Sequence, residues 1–240
     1  MLNLATVPGA GLPDLRIERP LPVGLQAYQT LRHAVVTLQL RPGQPLSEQG
    51  VAQQLKISRT PVREAFGKLA DAGLFEVLPQ RGTFVRRISA KAVKDARFVR
   101  EAIELAVLRE AMGHAGPDFL AAMRGLIAQQ RAAVTAREPE RFMGLDDAFH
   151  RAFALAASRG HAWSVIETQK AQMDRVRYLS LPDATPVDRL IDQHEEILDA
   201  VERGDGPAAE HAMRAHLSEV LAALEPLRLA HPDLFEPDGA

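Results

Sequence analysis

Three histidines and one aspartate are the residues best placed to do chemistry. In the segment GLDDAFHRAF, Asp146 and His150 stand one helical turn apart, among Phe142, Phe149 and Phe153. His194 shares a helical stripe with Ile197, Leu198 and Val201, and His216 adjoins Met213, Leu217 and Val220. Helical spacing therefore turns three imidazoles and a carboxylate from three segments toward apolar stripes, where each needs a partner. The residues alone leave two readings open. One is a hydrogen-bonded polar cluster inside a core. The other is a site for a divalent transition metal such as zinc, nickel or manganese, with positions left open for water or a ligand oxygen. Asp147, His114, His161 and His211 read as solvent-facing or helix-terminal and fall outside the set.

A second group belongs to different chemistry. Arg59 and Arg63 lie four residues apart at the start of SRTPVREAFGKLADAG, on a face left free by the apolar stripe Val62, Ala65, Phe66 and Leu69. Arginines opening a helix in this way can donate bidentately to guanine edges in a major groove, while Ser58 and Thr60 suit phosphate contacts. Arg81 and Gly82, at the tip of FEVLPQRGTFVRRI, fit a minor-groove or phosphate contact, the glycine for the turn and the arginine for the charge.

The elements that must position these groups follow from breakers and periodicity. Residues 1–24, with four prolines and no period, read as an arm. Residues 25–88 predict three helices and a hairpin, a winged helix-turn-helix, with Ser47 as the cap of the second helix and Gly73 ending the third. Residues 89–230 predict six helices and no strand, an antiparallel bundle joined by short connections. The fold class is thus mainly α, and residues 231–240 read as a loose tail.

Composition supports this division. Residues 1–88 carry 11 Lys and Arg against 6 Asp and Glu, whereas residues 89–240 carry 18 against 25. A basic first third points to a polyanion partner. Aromatic residues are only 5%, too few for the stacking platforms of single-stranded nucleic-acid binders. Cysteine is absent, which excludes disulfides, thiolate metal sites and a cysteine nucleophile. No apolar run approaches the roughly 20 residues of a membrane-spanning helix, and the N-terminus lacks a secretory pattern, so a cytoplasmic protein is expected.

The stretch LRPGQPLSEQGVAQQLKISRTPVREAFGKLADAGLFEVLPQRGTFV resembles the DNA-binding domain of the GntR family of bacterial transcription regulators, with RPG, LSE, SRTPVREA and PQRGTFV in order and spacing. The resemblance implies that Arg59 and Arg63 contact DNA and that Gly82 is the wing glycine. Where some members place a base-contacting arginine after the LSE-type glutamate, this chain has Gln49. From Ser89 to Phe235 the sequence is similar to the FCD ligand-binding domain of the FadR subfamily, in its VanR-like branch, with D-x-x-F-H, H-x-x-I and M-R-x-H-L in order. That similarity implies metal ligation by Asp146, His150, His194 and His216. It also implies an effector-binding arginine at Arg100. Arg175 or Arg177 in MDRVRYLSLP could add a second contact; the other reading of each is a surface salt bridge, such as Arg100 with Glu104 one turn on. The common asparagine after the Ser-Gly turn is absent; Ser158-Arg159-Gly160-His161 stands instead.

The expected function is a metabolite-responsive transcription regulator. A repressor of a catabolic operon, it would bind double-stranded operator DNA as a homodimer and be released by a small organic acid held at the metal, which the family resemblance suggests is a hydroxy or sugar acid. A metal-responsive regulator is the alternative. A metalloenzyme fused to a DNA-binding domain, with Asp147 or Glu195 as base, is the reading from another class; no nucleophile motif or phosphate loop supports it.

Overall fold

The third helix of the basic region forms because its apolar residues repeat at helical spacing and its ends are punctuated. In the computed structural model, which describes residues 15–16, 21–181 and 186–237, α3 (Arg59–Asp71) buries Val62, Ala65, Phe66 and Leu69. That stripe packs against α1 (Val23–Val36) and α2 (Glu48–Leu55). The Ser47 hydroxyl accepts from the Gly50 N–H at 3.0 Å and so caps α2. Gly73 takes the left-handed conformation, φ +68°, just after α3.

Strands β2 (Phe75–Leu78) and β3 (Gly82–Val85) pair antiparallel around a turn in which Gly82 has φ +101°, a conformation strained for any side chain. A two-residue strand, β1 (Pro45–Leu46), pairs with the other edge of β3 and places Pro45 opposite Phe84. Two residues are too few to show an alternating pattern, so β1 had no sequence signal. The Phe66 and Phe75 rings meet edge to face at 5.0 Å and tie α3 to this small sheet.

The chain forms two compact units, residues 1–92 with 228–240 and residues 93–227. This corrects the expected tail. After a turn of 3-10 helix at Pro232–Leu234, Ile88 donates to the Leu234 carbonyl and Glu236 donates to the Ile88 carbonyl, both at 2.9 Å. Leu234 and Phe235 are each only 2% exposed, and Arg86 pairs with Glu236 at 2.9 Å. Proline and charge made the segment read as solvent-loving; the apolar pair Leu234-Phe235 decides otherwise. Phe235→Ala is expected to lower the stability of this unit by about 3 kcal/mol in urea unfolding, whereas a loose tail would give less than about 0.5. The expected arm lies mostly outside the described residues.

The second unit is helical: α4 (Ala90–Met112), α5 (Pro117–Thr135), α6 (Pro139–Ala156), α7 (Gly160–Gln169), α8 (Ala171–Ser180), α9 (Val187–Glu202) and α10 (Gly206–Ala230). Proline opens both α5 and α6, where its missing N–H costs nothing. One predicted helix, 161–179, is two. The run breaks at Lys170, which stays in the right-handed region with ψ at −3° and whose buried ammonium pairs with Asp147 at 2.6 Å and Asp174 at 2.9 Å. Helix α5 packs along both α6 and α9. Phe149 and Phe153 of α6 and Ile197 and Leu198 of α9 are all buried, and these apolar stripes fix the inward faces on which the polar set stands.

Candidate functional site

Asp146 and His150 come from α6, His194 from α9 and His216 from α10. All four are buried, and one ligand atom from each lies within 4.8 Å of the others. His216 Nε2 is 3.0 Å from His150 Nε2 and 3.2 Å from His194 Nε2. Asp146 Oδ1 lies 3.5 Å from His194 Nε2 and 3.8 Å from His216 Nε2.

The opposite ring nitrogens explain this convergence. His194 Nδ1 is 2.8 Å from Gln130 Oε1, His216 Nδ1 is 3.3 Å from Gln193 Oε1, and His150 Nδ1 is 2.5 Å from Glu104 Oε2. Each partner is an oxygen that can only accept. The amides are themselves oriented, because Gln130 donates to the Leu145 carbonyl at 3.2 Å and Gln193 donates to Glu219 at 2.8 Å. The Nδ1 atoms of His194 and His216 therefore carry their ring protons. His150 Nδ1 lies close to Glu104 Oε2 without an aligned hydrogen bond, and three Nε2 atoms face one another beside a carboxylate. Without a cation such a meeting is repulsive; with one it is a ligand set of three nitrogens and one oxygen.

Electrostatics keep the donors in the right protonation state. Burial pushes the imidazoles of His150 and His216 well below their usual range, with Arg100 adding to the effect on both. Burial likewise brings His194 down to about 4 against the opposing pull of Asp146. Burial alone would raise Asp146, but Arg177, His150 and His194 overcome it and hold the carboxyl at about 2. At neutral pH the set is three neutral imidazoles and one carboxylate. Phe149 stacks on His194 at 4.1 Å and limits rotation of that ring.

Beside the cluster is a small cavity of about 40 Å³ whose wall includes Asp146, His216, Arg100, Arg177, Ser180 and Glu219. Arg100 is 4% exposed and donates to Glu104, so the i, i+4 pair exists, but buried rather than at the surface. Its Nη2 is a buried donor with no hydrogen-bond partner among the described residues. Arg175 does not line this cavity: it is fully buried and donates to Gln172. Arg177 lines the cavity instead, paired with Asp146 and at 3.0 Å with both Asp147 and Asp174. Asp147, expected at the surface, is thus half-buried in an ion network with Lys170 and Arg177.

Polar supports were invisible in the sequence because Gln130, Gln193 and Glu104 are single polar residues on otherwise ordinary helices. Their signal was one of register, each falling on a buried stripe. Gln130→Ala removes the acceptor that fixes His194 and is expected to weaken zinc affinity about 10–100-fold, measured by competition with a chelator. Unchanged affinity would mean that Gln130 only fills space.

In the first unit, Ser58, Arg59, Thr60 and Arg63 are all exposed along the first two turns of α3, and Arg81 and Gly82 are exposed at the hairpin tip. Gln49 is exposed on α2. Arg59 pairs with Glu48 at 3.3 Å and remains largely exposed. The buried stripe faces inward, so the two arginines form a basic edge open to a polyanion.

A winged helix-turn-helix on one chain with a helical polar-centred unit is the architecture of a DNA-binding transcription regulator. Sequence comparison supplies the family. The profile described as "Bacterial regulatory proteins, gntR family" matches residues 24–85, and that of the "FCD domain" matches residues 95–219. The chain belongs to the GntR family of bacterial transcription regulators, among members that carry an FCD domain. It is 39% identical over 225 residues to the HTH-type transcriptional repressor RspR of Escherichia coli K12, covering 94% of this chain and 99% of that protein. It is 40% identical over 214 residues to an HTH-type regulator of Streptomyces ambofaciens, covering 89% of each. Among solved structures, its fold resembles E. coli McbR/YncC with a TM-score of 0.75 at 21% identity, covering 87% of this chain and 99% of that one. A GntR regulator from Rhodococcus sp. RHA1 gives 0.69 at 23% identity, covering 84% and 96%. These proteins are regulators, which decides against the metalloenzyme reading. No helix among the described residues is long and apolar enough to cross a membrane.

Proposed function

We propose that this regulator is a cytoplasmic homodimeric repressor of a catabolic operon, released from its operator by a small organic acid bound beside a divalent metal. One observation carries the reading: the unpartnered Nη2 of Arg100, buried at the wall of a cavity that also contains Asp146 and His216. A buried guanidinium N–H without an acceptor is costly, and a carboxylate satisfies it. Asp146, His150, His194 and His216 would hold the metal, whose open positions supply a Lewis-acid centre for the same carboxylate. Arg177 offers a second positive charge to the cavity, although its carboxylate partners already balance much of it.

Relatives support the repressor part of the reading. RspR is named a repressor, and a protein of Paenarthrobacter nicotinovorans, 31% identical over 185 residues, is described as a probable D-xylose utilization operon transcriptional repressor. One winged helix makes a small contact, so specificity calls for two copies on a two-fold related operator. Ser58, Arg59, Thr60, Arg63, Arg81 and Gly82 are the residues assigned to that DNA.

Fluorescence anisotropy with the full-length protein and the DNA upstream of its own gene tests the proposal. With metal bound, a panel of organic acids is expected to contain one that lowers operator affinity by about 5–150-fold, the span of a coupling of about 1–3 kcal/mol. Release by metal alone, with no acid able to add to it, would make the ion the signal and contradict the proposal.

A further inference from the structure

The two oxygens of Asp146 have different neighbours. Oδ1 lies 3.5 Å from His194 Nε2 and 3.8 Å from His216 Nε2. Oδ2, 3.9 Å from His150 Nε2, accepts from Arg177 Nη2. Nη1 of the same guanidinium donates to Asp147 Oδ1 and Asp174 Oδ1, both at 3.0 Å. One further cation holds those two carboxylates from the other side: Lys170 Nζ donates to Asp147 Oδ2 at 2.6 Å and to Asp174 Oδ2 at 2.9 Å. Asp174 is 1% exposed and Lys170 3%, so a chain of charges runs through the interior from the end of α7 to the imidazoles.

The order of the charges decides what each group does. Arg177 stands among three carboxylates, and a guanidinium fork serves two directions at once only while neither side outweighs the other. Lys170 neutralises much of Asp147 and Asp174 and so leaves Nη2 for Asp146. With Lys170 neutral, two buried carboxylates would have Arg177 as their shared cation, and an uncompensated buried charge is costly. The guanidinium would be drawn toward them, and Asp146 would lose the contact that fixes its orientation. Such outer partners are what let a carboxylate present a chosen oxygen to a metal.

Resting on the metal reading above, we propose that Lys170 is a positioning residue for the metal site. Acting through Asp147, Asp174 and Arg177, it keeps Asp146 with Oδ2 on Arg177 and Oδ1 toward the imidazoles. A carboxylate held this way offers the ion one oxygen, which leaves the remaining positions open to an exchangeable ligand. Lys170 does not line the cavity, so its effect reaches the site through this chain of charges.

The test uses the full-length protein with zinc and then with cobalt(II), whose visible bands shift with ligand geometry. Lys170→Gln removes the charge, Lys170→Arg keeps it, and Arg177→Lys keeps a charge but loses the fork. Circular dichroism identifies the folded variants, and zinc affinity is read by competition with a chelator. Lys170→Gln is expected to weaken zinc binding about 10–100-fold and to shift the cobalt bands, while Lys170→Arg restores both. Arg177→Lys, which breaks the chain one link nearer the site, is expected to show the same loss and a band shift, and it carries the test if Lys170→Gln does not fold. A folded Lys170→Gln or Arg177→Lys with wild-type affinity and spectrum would overturn the assignment. Equal impairment of Lys170→Gln and Lys170→Arg would mark a packing defect and overturn it too. In either case a wild type that binds zinc leaves the metal reading standing. A wild type that takes up neither metal defeats that reading, and the role of Lys170 with it.

Discussion

Replacing Arg63 by alanine is expected to weaken operator binding by about 1–3 kcal/mol, roughly 5–150-fold, and to relax discrimination at one base pair in each half-site. Arg63 is exposed one turn into α3, on the face opposite the buried Val62, Phe66 and Leu69, so its loss takes away no packing. Stability should remain within about 0.5 kcal/mol of the parent, as for other exposed positions. Arg59→Ala should behave similarly, with one difference. Its guanidinium is paired with Glu48 in the free protein, an exposed contact that DNA must replace, so its loss should cost somewhat less. Binding curves on the operator and on single-base variants separate the outcomes. An unchanged affinity for Arg63→Ala would remove α3 from the recognition role.

The second large effect is on sensing. His194→Ala deletes a fully buried ligand of the second unit and leaves Arg59 and Arg63 of α3 unchanged. It is expected to keep operator affinity in the absence of effector, to lose most of its metal, and to respond no longer to the organic acid. A ligand moves an equilibrium only by its differential affinity for two states, so a response that persists in a metal-free variant would place the coupling in another pocket. The variant also strands the Gln130 carbonyl and opens space beside Phe149, so some loss of stability accompanies it. Metal content and the acid response, each measured on folded protein, distinguish the two consequences.

Much of this architecture was legible in the residues because strong local rules agree there. Val62, Ala65, Phe66 and Leu69 announce α3, Ser47 announces the start of α2, and Gly73 takes the left-handed turn its position implies. The four-residue cluster was legible for a similar reason: buried helical stripes do not carry three imidazoles and a carboxylate without a use for them. What the sequence left unreadable depends on contacts between distant segments. The break at Lys170 depends on Asp147 and Asp174 drawing an ammonium inward. The docking of Leu234 and Phe235 depends on Ile88, far away in the chain. The choice of Arg177 over Arg175 at the cavity wall is a matter of which side of α8 faces α6, and the two arginines differ by only two positions. Likewise, no periodicity shows that Gln130 and Gln193 each meet an imidazole, yet these acceptors fix the direction of the Nε2 lone pairs of His194 and His216.

That inward meeting of three Nε2 atoms is the centre of the account, and X-ray absorption at the zinc edge reads it directly. Protein stripped with a chelator and reloaded with one equivalent of zinc is expected to show a first shell of nitrogen and oxygen at about 2.0–2.2 Å, with the multiple-scattering pattern of three imidazoles. The His194→Ala variant should then show no more than two. A wild-type protein that takes up no zinc, or holds it with one imidazole or none, would leave Asp146, His150, His194 and His216 as a hydrogen-bonded cluster and contradict the metal-centred mechanism.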